Sequence, residues 1–382
     1  MSKSLYWDKM LILHDKNSNK DENDLVISKE EPNFFAPMGP FTIHSVYEEK
    51  SDKIFNELST FYSKNNVLSN GNMTQVSEHD LRRYYNVSVT EILCCRSKLS
   101  KKIIGSILSI LFPIKLNIDN ISIYRRDKSS RTKYLVENNP DVVLFAATTF
   151  LNASKKYRGK GLGMVLIQKS LQVAYEIGVI CAYFLNTVPR CSNAVEIKCW
   201  VFPLNIKKHE QYRLGYMRKY RNYYLNLKSD GFEVQKIDNG NYKPSYYEYI
   251  NLIKDKKFSL YPDLEYWDRW INNFDTYTVI INGKIQGIFC CIKYTIYAVS
   301  CGKYLDYGNR LICVGKQPET AEAMLLECQK SGIDILLLQE VGDLDEDLLH
   351  YIHAQKTKTS DYLNFYNTKI KLEAKDLYAP MI

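Results

Sequence analysis

The sequence offers no apolar run long enough to cross a bilayer: the longest, 103–114, is broken by Gly105 and Pro113 and falls short of the ~20 residues a spanning helix needs. It also lacks any Cys-x-x-Cys pair or a histidine at ligand spacing, so its ten cysteines outline no zinc site and no metal is expected. The thiols stand alone or as Cys94-Cys95 and Cys290-Cys291 inside strand-like runs, the usage of buried thiols in a reducing compartment. No basic-then-apolar leader is present, and a cytoplasmic protein is expected. Concentrated charge is missing as well. A net charge of +8 over 382 residues is too dilute for a dedicated nucleic-acid binder. The one basic aromatic segment, 207–224, reads as a solvated helix with tyrosines on its buried side. Neither common nucleotide loop occurs, since Walker A requires Gly-x4-Gly-Lys-Ser/Thr and the dinucleotide fingerprint requires Gly-x-Gly-x-x-Gly.

What is present is a strand, turn, helix and strand in unbroken succession over 141–185. Residues 141–151 (DVVLFAATTFL) are apolar, β-branched and aromatic, as in a buried strand. The turn Arg158-Gly159-Lys160-Gly161-Leu162-Gly163 follows. Its glycines remove the Cβ atoms that would hold a phosphate away from the backbone, and the next residues begin a helix. Leu162, Val165, Leu166, Val173, Ala174 and Ile177 share one helical face; Gly178 ends the helix and 179–185 return to strand. A pyrophosphate at this turn meets free N–H groups, the positive end of the helix dipole, and Lys155, Lys156, Arg158 and Lys160.

Along the rest of the chain, aromatic residues such as Tyr6, Trp7, Phe34 and Phe35 predict that the first forty residues lie against the body. Residues 45–62 have helical spacing, Ser77 caps a short helix over 79–85, and strands are expected at 87–95 and 103–116. Residues 125–139 read as a charged excursion. From Tyr212 to Tyr277 the pattern is weak. Asn282-Gly283 then joins strands 276–281 and 285–297 as a hairpin. A strand at 304–314, a helix opened by Pro318 and ended near Gly332, and a strand at 333–338 follow. The second half thus repeats the first without its glycine turn, so only the first should hold a pyrophosphate.

The turn resembles the acyl-CoA turn of the acetyltransferase (GNAT) superfamily, Arg/Gln-x-x-Gly-x-Gly/Ala after a strand. Further residues narrow the family. Thr149-Phe150-Leu151-Asn152-Ala153 with 158–167 resembles the Asn-Phe-Leu-Cys-Val strand and following turn of the glycylpeptide N-tetradecanoyltransferases, or N-myristoyltransferases. The segment 199–205 (CWVFPLN) is similar to their Tyr-Trp-His-Arg-Pro-Leu-Asn, and Phe365-Tyr366-Asn367 to their Leu-Tyr-Asn. Tyr6-Trp7, Gly105 to Pro113 and Gly332-Ile333-Asp334-Ile335 fall in the same order. The resemblance implies an α/β (α+β) fold of two tandem GNAT-like acyltransferase halves around a continuous mixed sheet. It divides the chain into 1–211, which binds acyl-CoA, and 212–382, which binds peptide.

The resemblance implies roles as well. Leu5, Tyr6, Trp7, Phe150, Leu151, Asn152, Ala153, Arg158, Gly159, Lys160, Gly161, Leu162 and Gly163 contact the acyl-CoA. The amides of Phe150 and Leu151 form an oxyanion hole, and the α-carboxylate of Ile382 takes a proton from the substrate glycine. Myristoyl-CoA or another long-chain acyl-CoA is the expected co-substrate, with no permanent cofactor. N-terminal-glycine peptides or proteins are the expected partners, and the enzyme is expected to be a monomer. The departures fall on the peptide side. The family's acidic loop corresponds to 65–72, which holds no acid; its Tyr-Thr-Ala-Gly is Tyr183-Phe184-Leu185-Asn186; a histidine is Val201 and an asparagine is Leu337. Three readings stay open: an N-myristoyltransferase, an acyltransferase of the same fold with another amine or acyl chain, and a non-catalytic acyl-CoA binder.

Overall fold

The amino-terminal half opens with strand β1 (Phe41–Ser45), helix α1 (Lys53–Asn65), the short strand β2 (Met73–Gln75) and helix α2 (Glu78–Val87) in a computed structural model. The structure describes residues 41–46, 53–67, 72–88, 90–118, 141–211, 231–299 and 301–381. Ser45 belongs to β1 rather than to a helix, because 41–45 pair antiparallel with 93–97 at the sheet edge. Helix α1 buries Ile54, Phe55, Leu58, Phe61 and Tyr62, an i, i+1, i+4, i+7, i+8 stripe that covers one sheet face. Helix α2 starts where expected, with Ser77 accepting from the Asp80 amide and Asp80 accepting in return from the Ser77 amide. It runs on through Val87, so strand β3 (Thr90–Ser97) begins three residues later than its apolar run suggests.

Strand β4 (Ile103–Leu116) is buried over most of its length, as a strand with neighbours on both edges and helices on both faces must be. Strand β5 (Val142–Ala153), helix α3 (Leu162–Glu176) and strand β6 (Cys181–Asn186) follow, and β5 and β6 are parallel. Strand β7 (Val195–Pro203) and helix α4 (Ile206–Gln211) close this half.

Where the sequence pattern fades, the structure holds strand β8 (Glu233–Lys236), helix α5 (Tyr242–Ile253), strand β9 (Phe258–Leu260) and helix α6 (Leu264–Asn273). Tyrosines blur the periodicity of α5, since each carries both an apolar ring and a polar hydroxyl. Tyr249 nevertheless stacks on Trp267 of α6 at 4.7 Å. Helix α6 has a clearer signature: Asp263 caps it, and Tyr266, Trp267, Trp270 and Ile271 form its buried face. The remaining elements are β10 (Thr276–Ile281), β11 (Lys284–Ala298), β12 (Lys303–Val314), α7 (Pro318–Lys330), β13 (Ile335–Gln339), α8 (Glu346–Tyr351), β14 (Gln355–Tyr366) and β15 (Leu377–Tyr378). Asn282 and Gly283 both take positive φ, 51° and 72°, as a two-residue hairpin between right-twisted strands requires.

The fifteen strands among the described residues join one mixed sheet, whose main path runs β1-β3-β4-β5-β6-β14-β7-β13-β12-β11-β10-β8. Most pairs are antiparallel; β5 with β6 and β12 with β13 are parallel, each bridged by a helix, and β9 with β15 is parallel as well. The late strand β14 lies between β6 and β7, and early β2 pairs with β11. Each half therefore supplies a strand to the other's part of the sheet. The division at 211/212 falls at the edge of a segment outside the described residues. None of the ten cysteines forms a disulfide.

Candidate functional site

Two glycines give the turn after β5 its shape. Gly159 and Gly161 adopt φ of 75° and 79°, the left-handed region that costs an L-residue about 1–2 kcal/mol. A Cβ on either would meet no atom within 4 Å, so the backbone there is open to a ligand. Gly161 caps α3 without a side-chain acceptor, leaving the helix's first N–H groups for an external anion. Exposed Lys155, Lys156 and Lys160 lie in the same turn. Arg158 instead braces the turn. Its Nε donates to the Ala153 carbonyl at 3.1 Å and its Nη2 to that of Asn65 at 2.5 Å, tying the turn to α1. Leu162 packs so closely on β4 that a Cβ at Gly105 would lie 2.8 Å from its Cδ2.

Ahead of the turn, β5 carries a bulge. Ser106 pairs with Asn152 and Leu108 with Thr149, so Phe150 and Leu151 together oppose Ile107. Phe150 has φ of 50°, a strained conformation for an aromatic residue that its surroundings must hold. Its ring is held by Tyr62 and Tyr84, with centroids at 5.3 and 6.1 Å, and the Tyr62 hydroxyl donates to Ser106 Oγ at 2.9 Å. The bulge interrupts the regular ladder at these two residues, while Asn152 just beyond it donates to Asn66 Oδ1 at 3.1 Å.

A cleft of about 370 Å³ opens beside the bulge, with walls from α2, β5, β11 and β12. Phe150, Leu151, Tyr84 and Phe274 supply its apolar surface; Asn66, Thr149 and Asn309 are among its polar groups. Burial, with a further contribution from Asp80, raises the Tyr84 phenol well above its ordinary range, and Arg83 partly opposes this. Burial likewise raises the Tyr294 phenol. Both remain neutral hydroxyls. The cleft therefore lies between residues from six separated stretches of sequence, and the sequence patterns point to neither Tyr84, Phe274 nor Asn309 as part of it. No local motif marks them; cross-sheet register brings them together.

No family model matches the sequence, and no curated protein sequence matches it. Solved structures do. Saccharomyces cerevisiae N-myristoyltransferase with bound myristoyl-CoA superposes with a TM-score of 0.76 at 13% identity, covering 97% of this chain and 94% of that one. The same enzyme with bound myristoyl-CoA and inhibitors gives 0.74 at 12%, covering 100% and 96%. The fold is that of N-myristoyltransferase.

Against the N-myristoyltransferase pattern, two departures prove to be neighbours. Val201 of β7 pairs directly with Leu337 of β13, and Leu337 with Asn309 of β12 in the cleft. The positions where the resemblance calls for histidine and asparagine thus form one apolar pair beside the cleft-lining Asn309. Near the chain end, residues 377–381 are buried, as their apolar character predicts. The Tyr183 hydroxyl donates to the Pro380 carbonyl at 3.0 Å and fixes that segment against β6. Leu5, Tyr6, Trp7 and Ile382 lie outside the described residues, as do 68–71 of the segment that replaces the acidic loop. Among the described residues, no group of three or more His, Cys, Asp or Glu side chains could hold a metal, and no helix is long and apolar enough to cross a membrane.

Proposed function

We propose that the chain is an acyltransferase that moves a long-chain acyl group, myristoyl or similar, from acyl-CoA to the N-terminal glycine amine of a peptide or protein. The observation that carries this reading is the adjacency, along one strand and its turn, of the bulge at Phe150 and Leu151 and the open turn at Gly159 and Gly161. A pyrophosphate at the α3 N-terminus leaves the thioester to reach back along β5 toward the bulge. There the amides of Phe150 and Leu151 are the proposed donors to the thioester oxygen as it gains charge. Leu5, Tyr6, Trp7, Asn152, Ala153, Arg158, Lys160, Leu162 and Gly163 remain proposed acyl-CoA contacts.

In the reaction the amine nitrogen bonds to the carbonyl carbon, the C–S bond breaks, and CoA leaves as a thiol after taking up a proton. A glycine amine with a reference pKa of about 7.8 is mostly ammonium at neutral pH and must first lose a proton. The α-carboxylate of Ile382 is the proposed acceptor, and the burial of 377–381 supports its delivery to the interior. Burial raises a carboxylate pKa and lowers that of an ammonium, narrowing a gap of about 4 units in water. The apolar pair Val201 and Leu337 favours a second reading, an acyl-CoA binder that has lost turnover. Mass spectrometry of glycine-initiated peptides incubated with myristoyl-CoA separates the two. Acylation of the glycine amine is expected; acyl-CoA binding with no acylated peptide would establish the second reading.

A further inference from the structure

Of the charged groups that line the cleft, one guanidinium is anchored by a backbone carbonyl and an aromatic ring rather than by a carboxylate. Three charged residues line it: Asp80, Arg83 and Lys293. Asp80 Oδ2 is occupied by the Ser77 amide at 3.0 Å and the Ser77 hydroxyl at 2.6 Å, as the capping box of α2. Lys293 turns away, its Nζ donating to the Ser331 carbonyl at 3.1 Å. Arg83 is different. Its Nε donates to the Asn273 carbonyl, and its guanidinium carbon lies 5.1 Å from the centre of the Phe274 ring. Among the described residues no carboxylate lies within ion-pair distance of it. Backbone and ring fix the guanidinium in place while its two terminal nitrogens keep their donors, a pre-set fork for a carboxylate.

The aromatic wall relates Arg83 to the proposed reaction centre. Phe274 packs on Tyr84 at 5.4 Å and Tyr84 on Phe150 at 6.1 Å, so three ring contacts lead from the guanidinium to the bulge. An extended peptide advances about 3.3 Å per residue. A side chain reaching Arg83 therefore lies within about five residues of a glycine held at the bulge. We propose that Arg83 is a specificity-determining residue that selects glycine-initiated acceptors carrying an acidic side chain within those five positions. This rests on the acyltransferase reading and sharpens it. Through Arg83 the acceptor cleft favours an acidic acceptor over a basic one.

The test uses the full chain, myristoyl-CoA, and glycine-initiated peptides identical except for Glu, Gln or Lys placed at each of those positions in turn. At one position kcat/KM for Glu should exceed that for Gln by about tenfold, with Lys lower still. Arg83→Glu should reverse the order of Glu and Lys, and Arg83→Lys should keep it; acyl-CoA binding by calorimetry confirms that each variant is folded. Equal rates at every position, or an unchanged order in Arg83→Glu, would overturn the assignment while leaving the acyltransferase reading intact. Should no peptide be acylated, that reading fails, and anisotropy of the labelled peptides on the acyl-CoA-loaded protein decides the role of Arg83. Tighter binding of Glu than Lys upholds it, and equal or absent binding overturns it.

Discussion

The two halves contain the same unit, a long hairpin followed by a helix and a parallel strand, and they treat the turn before the helix in opposite ways. After β5 the turn spans 154–161 and leaves the α3 N-terminus uncapped, with open space over both positive-φ glycines. After β12 it is only 315–317. Gly315 donates its amide to Asp343 Oδ2 at 2.9 Å, and Pro318 supplies the first residue of α7 without an N–H. The second half sets a carboxylate of its own on the amide that opens its turn, whereas the first leaves open space over its glycines. Elsewhere the units agree closely: each has a bulge, at 150–151 and at Leu311, and a glycine on the preceding strand where the helix packs, Gly105 and Gly287. The two turns thus differ in open space rather than in capping, since neither α3 nor α7 has a side-chain hydrogen bond at its N-cap.

The largest effect that should separate the halves is on folding. A Cβ at Gly315 would lie 2.7 Å from the Gln286 carbonyl oxygen and 2.8 Å from Gly287 Cα, and backbone cannot yield cheaply. Gly315→Ala should therefore leave little folded protein, measured by thermal unfolding, whereas Gly159→Ala should cost about 1 kcal/mol, the left-handed strain alone. Next is Asp343, which also accepts from Lys256 Nζ at 2.9 Å and the Tyr378 hydroxyl at 2.8 Å. Asp343→Ala strands a mostly buried lysine and should cost about 3–5 kcal/mol in denaturant titration, with acyl-CoA affinity unchanged in the folded fraction.

Gly161→Val reverses that pattern. The branched side chain enters the open space where the pyrophosphate would approach, so myristoyl-CoA affinity should fall at least a hundredfold, about 2.7 kcal/mol, with a smaller loss of stability. The smallest effect belongs to Arg158. Two of its donors serve the Ala153 and Asn65 carbonyls, so Arg158→Gln should weaken acyl-CoA binding by only about 1 kcal/mol, chiefly through loosening of the turn.

Much of this contrast can be read in the chain, and the unreadable part has a physical cause. The glycine turn, helices α3 and α7, the Asn282-Gly283 hairpin and the repeat itself are local patterns, set by residues within one turn or strand of each other. The closure of the second turn depends on Asp343, distant in sequence from Gly315, and one aspartate in the acidic run 340–347 carries no mark of its partner. The bulge is equally silent. Nothing in Thr149-Phe150-Leu151 announces a positive φ at Phe150, because Tyr62 and Tyr84 from two other helices impose it. Tyrosine-rich α5 conceals its period, whereas α6, with an Asp cap and two tryptophans on one face, displays its own even inside a weakly patterned stretch.

We propose that a single turn, in the first half, is where this chain would hold acyl-CoA. Calorimetric titration of the purified chain with myristoyl-CoA, alone and as the Gly161→Val and Asp343→Ala variants, tests it most directly. One molecule bound per chain, lost in Gly161→Val and kept in folded Asp343→Ala, is the predicted result. Two equivalents bound, or one that survives Gly161→Val unchanged, would contradict it.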